Sequence, residues 1–183
     1  MKRKLTILGV SLPTILAVDI VTKRWAVASL TGAPRPDFLG GYVPLNLHYN
    51  RGAAFGISIG DDPRWFFIPV ALIALTLMVA LIVQAKRDDH LRIVALTLVI
   101  CGALGNLYDR VRWDQGVVDF IGPISLGFMD WWIFNVADMA ISCGVVFLVI
   151  SFWTEERRLK REGAEPDEGP SEVVRPGPEP TQG

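Results

Sequence analysis

Phe134-Asn135-Val136-Ala137-Asp138-Met139-Ala140-Ile141 lies in an apolar run from Trp131 to Trp153, and Asp138 is the only charged residue in that run. A run of this length can cross a ~30 Å hydrocarbon core as a helix. A carboxylate inside it is expensive, roughly +2.5 to +3.5 kcal/mol at a helix centre and less near an interface. Asn135 lies three residues earlier, so on a helix the two polar groups share one face. No basic residue stands within a helical turn of Asp138, which makes it a functional candidate. Upstream, Gly116-Val117-Val118-Asp119-Phe120-Ile121 supplies a second isolated acid, which alone could be a solvated loop carboxylate.

Working outward, the apolar blocks repeat. The 183 residues are 51% hydrophobic, and the mean hydropathy is +0.36, too apolar for an ordinary soluble domain. Spans are expected at about residues 5–28, 65–83, 91–108 and 131–153, making residues 1–162 a polytopic α-helical membrane domain with four transmembrane helices. Met1-Lys2-Arg3-Lys4 before Leu5 to Val18 also has the outline of a signal peptide, with Ala26-Val27-Ala28 as a cleavage pattern. Asp19, Lys23 and Arg24 lie ahead of that site and apolar character resumes at Trp25, so an uncleaved span is preferred.

Residues 29–64 form a Gly- and Pro-rich loop in which Tyr42 to Tyr49 alternates like short strands and turns. Residues 109–130 form a second loop. The tail, residues 163–183, is rich in Pro, Glu and Gly and is expected to be disordered. Lys2-Arg3-Lys4, Lys86-Arg87-Arg92 and Arg157-Arg158-Lys160-Arg161 fall on one side of the four-span arrangement. The positive-inside rule makes that side cytoplasmic, with both termini inside and both long loops outside. Trp65, Trp113, Trp131 and Trp132 then fall near the outer span ends, as an interfacial aromatic belt would.

Cys101 and Cys143 each lie in an apolar block and read as small buried hydrophobes. With no CxxC and only His48 and His90, neither a metal site nor a disulfide framework is expected, and no cofactor is implied. Basic residues at membrane flanks, not on an aromatic-bearing surface, argue against nucleic acid.

The polar groups of the spans gather towards the outer end. Asp19 stands about 21 Å along the first helix, with Lys23 one turn further on the same face. Asn106, Asp109 and Arg110 share one face of the third span, Asn135 and Asp138 sit one to two turns inside the fourth, and Asn50-Arg51-Gly52 arrives from the loop. Taken singly, Asp19 with Lys23 or Asp109 with Arg110 could be neutralising pairs, and Asn50-Arg51-Gly52 just a turn. Two carboxylates a few ångströms apart cannot both ionise easily. One can then deprotonate a water while the other polarises a carbonyl oxygen.

Five blocks carry a resemblance: Asp19-x-x-x-Lys23, Asn50-Arg51-Gly52-Ala53-Ala54-Phe55-Gly56, Gly102 to Arg110, Val117-Val118-Asp119-Phe120, and Phe134-Asn135-Val136-Ala137-Asp138. In this order and on four spans, over about residues 5–155, the chain resembles the bacterial lipoprotein signal peptidases (type II signal peptidases). The resemblance implies an intramembrane aspartyl endopeptidase in the cytoplasmic (inner) membrane, with its active site near the extracytoplasmic face. Its substrates would be diacylglyceryl-prolipoproteins, cut just before the lipidated cysteine. Asp119 and Asp138 would be the catalytic pair, with Asp19, Lys23, Asn50, Gly52, Asn106, Asp109, Arg110 and Asn135 supporting it or binding substrate. A small extracytoplasmic β-like cradle would cover the site, and Ile57 to Arg64 would form a short mobile helix beside it. Membrane lipids and globomycin-type inhibitors would be further partners.

Gly102, Ala103 and Gly105 permit either close helix approach or room for acyl chains, the former favoured. The main alternative function is a small proton-coupled transporter using the same Asp, Asn and Lys groups. It is disfavoured by the absence of an inverted repeat and by a charge-free second span. A non-enzymatic scaffold leaves the two acids unexplained, and no GxSG or HExxH supports a serine or metal protease.

Overall fold

The computed structural model describes residues 2–32, 37–38, 43–52, 62–86 and 88–162. Four helices are long and apolar enough to cross a membrane: α1 (Lys2–Leu30), α2 (Arg64–Gln84), α3 (His90–Arg112) and α4 (Val136–Glu162). Their ends follow from local chemistry. Asp89 caps α3 by accepting the Arg92 backbone N–H at 3.0 Å, the usual work of an N-cap acid. Lys4 of α1 donates to the carbonyls of Ile82 at 2.9 Å and Val83 at 3.1 Å, and to that of Ala85. A cation there satisfies the orphan carbonyls at the end of α2 and complements its dipole. Pro13 and Pro69 lie inside α1 and α2.

α3 is the central helix: half of its apolar window is buried, against 6% for α1 and 11% for α2. It packs on both of these helices. Leu75, Ile82, Ile93, Leu96 and Ile100 form the α2–α3 core. Val10, Val21, Ile73, Leu77, Val145 and Val149 point outward, which suits a hydrocarbon solvent. Close approach of α3 and α4 rests on glycine. A Cβ on Gly102 would overlap the Ala137 carbonyl, and one on Gly144 would stand 2.8 Å from the Ala95 carbonyl. These contacts bear out the packing use of Gly102, since lipid provides no hydrophobic drive and helices there associate through tight van der Waals contact.

Strands β1 (Asp37–Phe38), β2 (Val43–Asn50) and β3 (Val117–Ile121) form an antiparallel sheet in that order. His48 lies opposite Asp119 and Asn50 opposite Val117. Phe120 and Leu45 seat the sheet on Ala26 and Leu30 at the end of α1. A hairpin of β4 (Ile124–Ser125) and β5 (Asp130–Trp131) follows. The chain then returns to β3: Phe134 exchanges backbone hydrogen bonds of 2.9 Å with Ile121 in both directions.

That return corrects the expected fourth span. α4 starts at Val136, not Trp131, because residues 131–134 are engaged in β5 and in the bridge to Ile121. Asn135 and Asp138 are therefore at the helix start, not one to two turns inside it. Cys143 also departs from expectation: Cys101 is buried, but Cys143 is exposed on the outer face of α4. Ile57 to Asp61 of the expected short helix, residues 53–56 of the second block and residues 163–183 lie outside the described residues.

By internal contacts the chain divides into Met1–Ser151 and Phe152–Gly183. The described part of the second unit is the end of α4, where Arg157 covers the Trp153 ring at 3.8 Å and Lys160 pairs with Glu156 at 2.6 Å.

Candidate active site

The N-terminus of α4 organises the site. Asn135 is the N-cap: its Oδ1 accepts the Asp138 N–H at 2.9 Å, and the Asp138 carboxylate accepts the Asn135 N–H at 3.1 Å. This reciprocal arrangement is a capping box with aspartate in the third helical position. The Ala137 N–H, another orphan donor of the first turn, is taken by Asp19 of α1 at 2.9 Å. Asp138 thus stands at the positive end of the α4 dipole, where a carboxylate is favoured.

Lys23 lies beneath, buried, between two carboxylates and an amide. Its Nζ stands 2.7 Å from Asp19 Oδ2 and 2.9 Å from Asp109 Oδ2, and donates to Asn106 Oδ1 at 3.2 Å. The expected Asp19–Lys23 pair is present. Asp109, however, turns to Lys23 and to the Val118 N–H at 3.2 Å and not to Arg110.

Two amides connect this base to the acids. Asn106 donates to Asp138 Oδ1 at 2.7 Å. Asn135 Nδ2 donates to Asp119 Oδ1 at 2.6 Å and reaches Asn106 Oδ1 and the Val118 carbonyl at 3.2 and 3.3 Å. From the sheet, Asn50 donates to Asp119 Oδ2 at 3.1 Å, with its own Oδ1 fixed by the Gly52 N–H at 3.0 Å. Arg110 donates to the carbonyls of Gly52 at 2.9 Å and Asn106 at 3.3 Å, tying the end of β2 to α3.

All ten residues singled out in the sequence therefore belong to one connected cluster. Sequence reading could not supply the backbone of Val118, which bonds both Asp109 and Asn135, because main-chain groups leave no mark on residue identity. Among the described residues, no group of three or more His, Cys, Asp or Glu side chains is placed to hold a metal ion.

The electrostatics follow from a count: four carboxylates (Asp19, Asp109, Asp119, Asp138) face two cations (Lys23, Arg110). Burial and then the neighbouring Asp138 charge push the Asp119 carboxyl up to about 7, while the Asn50 and Asn135 amides and Lys23 pull it down. Asp119 is 2% exposed, so little water screens its carboxyl. Such a cluster can hold a shared proton near neutrality and orient a polarised water.

Residues 12–154 match the family described as signal peptidase (SPase) II. The lipoprotein signal peptidase of Hydrogenovibrio crunogenus is 40% identical over 150 residues, covering 80% of this chain and 86% of that protein. That of Streptococcus pyogenes serotype M2 is 36% identical over 156 residues, covering 85% and 97%. Two solved structures described as bacterial membrane enzymes align with TM-scores of 0.68 and 0.69 at 27% and 28% identity. They cover 92% and 83% of this chain and 94% and 93% of their own.

Proposed function

The chain belongs to the signal peptidase II family, a bacterial membrane peptidase family, and from that premise we propose that it is an intramembrane aspartyl endopeptidase. It removes signal peptides from diacylglyceryl-modified prolipoproteins, cutting just before the lipidated cysteine, with Asp119 and Asp138 as the catalytic residues. The observation carrying this reading is the shared Asn135. Its side chain donates to one acid at 2.6 Å while its backbone donates to the other at 3.1 Å, so the two carboxyls are held by one residue.

In the mechanism, the pair shares one proton, held on Asp119. Ionised Asp138, at the helix start, takes a proton from water as the water oxygen bonds to the scissile carbonyl carbon. Asp119 gives its proton to the carbonyl oxygen. The C–N bond then breaks as Asp138 returns its proton to the cysteine nitrogen, and the diol returns one to Asp119. Asn50, Asn106 and Asn135 fix the acids, and Asp19, Lys23 and Asp109 form the charged floor beneath them. Arg110 and Gly52 hold the sheet over the site. Globomycin-type cyclic peptides are expected to compete there.

The test is cleavage in detergent of a diacylated lipopeptide beside its unlipidated twin, by wild type, Asp119→Asn and Asp138→Asn. Cleavage of the lipidated peptide alone, lost in both folded variants, is expected. Retained cleavage in either variant would remove that residue from the catalytic pair.

A further inference from the structure

Beside the dyad, a second feature is left over. A cavity of about 160 Å³ opens where the ends of β2, α2 and α3 meet, lined by Arg51, Asp62, Arg64, Arg110, Asp114 and Gly116. A cavity of ~150 Å³ accommodates a molecule the size of benzene, so this one suits a single side chain. Three guanidinium groups and two carboxylates line it. Arg64 is already committed, with Nε and Nη2 each 2.8 Å from the two Asp62 oxygens. Asp114 also lies on the Arg64 side, acting on it electrostatically. Arg110 faces the carboxylates of Asp138, Asp119 and Asp109, and Arg51 acts on Asp62 only electrostatically, with no ion pair within 4 Å among the described residues. Arg51 is exposed, Arg110 spends its donors on two carbonyls, and its Nε is buried with no hydrogen-bond partner among those residues.

We propose that this cavity is a subsite for an acidic side chain of the substrate, two to four residues beyond the lipidated cysteine. The inference rests on the peptidase reading above and adds a specificity element to it. Its position follows from β3: Gly116 lines the cavity and Asp119 lies three residues along the strand, about 10 Å at ~3.3 Å per residue. An extended peptide leaving the dyad covers that distance in about three residues. The direction also fits. The apolar signal segment lies in the bilayer, and the chain after the cysteine runs to water past the outer ends of α2 and α3. The exposed guanidinium group of Arg51 supplies forked donors matched to a carboxylate, with Arg110 adding positive charge behind it.

The experiment uses diacylated-cysteine peptides carrying Asp, Asn or Lys at the second, third or fourth residue after the cysteine. They are cleaved by the full-length wild type, Arg51→Gln and Arg51→Glu. Wild type is expected to prefer Asp at one of these positions by roughly five- to tenfold in kcat/KM, the size of one charge-assisted contact partly open to water. Arg51→Gln should erase the preference while leaving the Asn peptide unchanged. Arg51→Glu should favour a Lys peptide. Equal wild-type rates on every Asp and Asn pair would overturn the subsite while leaving the peptidase reading intact. A preference that survives Arg51→Gln would overturn its assignment to this cavity. No cleavage of any lipidated peptide by folded wild type would overturn both.

Discussion

Lys23 is the buried cation that the floor of the site is built on. It is 4% exposed, ion-pairs with Asp19 and Asp109 and donates to Asn106. Removing it leaves two carboxylates uncompensated, and breaking a buried pair this way costs about 3–5 kcal/mol. Lys23→Met, although apolar and of similar length, is therefore expected to lower the melting temperature in detergent sharply; an unchanged melting temperature would show that the acids find other partners. Asp119 behaves in the opposite sense. Its folded-state carboxyl sits at about 7 against an ordinary 3.8, so the folded protein keeps a proton that the unfolded chain has released. Stability from this group is therefore full below about pH 4, declines as pH rises towards 7, and is flat above. Asp119→Asn stays neutral, so it should be inactive yet more stable than wild type at pH 8 and no more stable at pH 4. Paired melting curves at the two pH values decide it. These residue identities were legible in the sequence because isolated acids in apolar runs are costly and rarely accidental. Their partners were not, since nothing local distinguishes Asp109 facing Lys23 from Asp109 facing Arg110.

At the scale of elements, one residue does two jobs at the start of α4. Asn135 Oδ1 caps the helix while Nδ2 holds Asp119. Serine keeps the capping oxygen but has no amide donor, and the two residues cap comparably well. Asn135→Ser should thus keep the cap but leave the buried Asp119 oxygen without that donor, costing about 1–3 kcal/mol of stability while lowering kcat. Losing that hydrogen bond, which pulls the Asp119 carboxyl down, should also shift the alkaline limb of the pH–rate profile to higher pH. An unmoved limb with unchanged kcat would mean that the amide only caps. The helix start itself was misread from hydropathy. Trp131, Trp132 and Ile133 are as apolar as the span that follows, yet Phe134 pairs with Ile121 some thirteen residues away. Hydropathy averages over a window and is blind to such a pairing. The same pairing delivers Asn135 and Asp138 to the side of Asp119.

For the whole molecule, α3 supplies the buried axis, and its outward-facing neighbours treat lipid as solvent. The four spans were legible because crossing a bilayer constrains some twenty consecutive residues at once, independently of tertiary detail. The charge-lined cavity was not, because Arg51, Arg64 and Arg110 come from three separate segments. Orientation depends on where cations are tolerated. Lys4 is anchored on the carbonyls at the end of α2, and Arg157, Arg158, Lys160 and Arg161 close α4. Dense Lys and Arg near span ends resist translocation and so stay cytoplasmic. On that orientation the site, at the opposite ends of α1 and α3 and the start of α4, would face the outer leaflet, as the proposed cleavage of a lipidated precursor requires. A reporter fused after Gly183 should accordingly read cytoplasmic: fluorescent as a green fluorescent protein fusion and inactive as an alkaline phosphatase fusion. The same phosphatase inserted within residues 33–36, between α1 and β1 in the sequence, should be active. An active C-terminal phosphatase would invert the orientation, put the dyad on the cytoplasmic side, and separate the enzyme from any precursor whose mature part has already crossed.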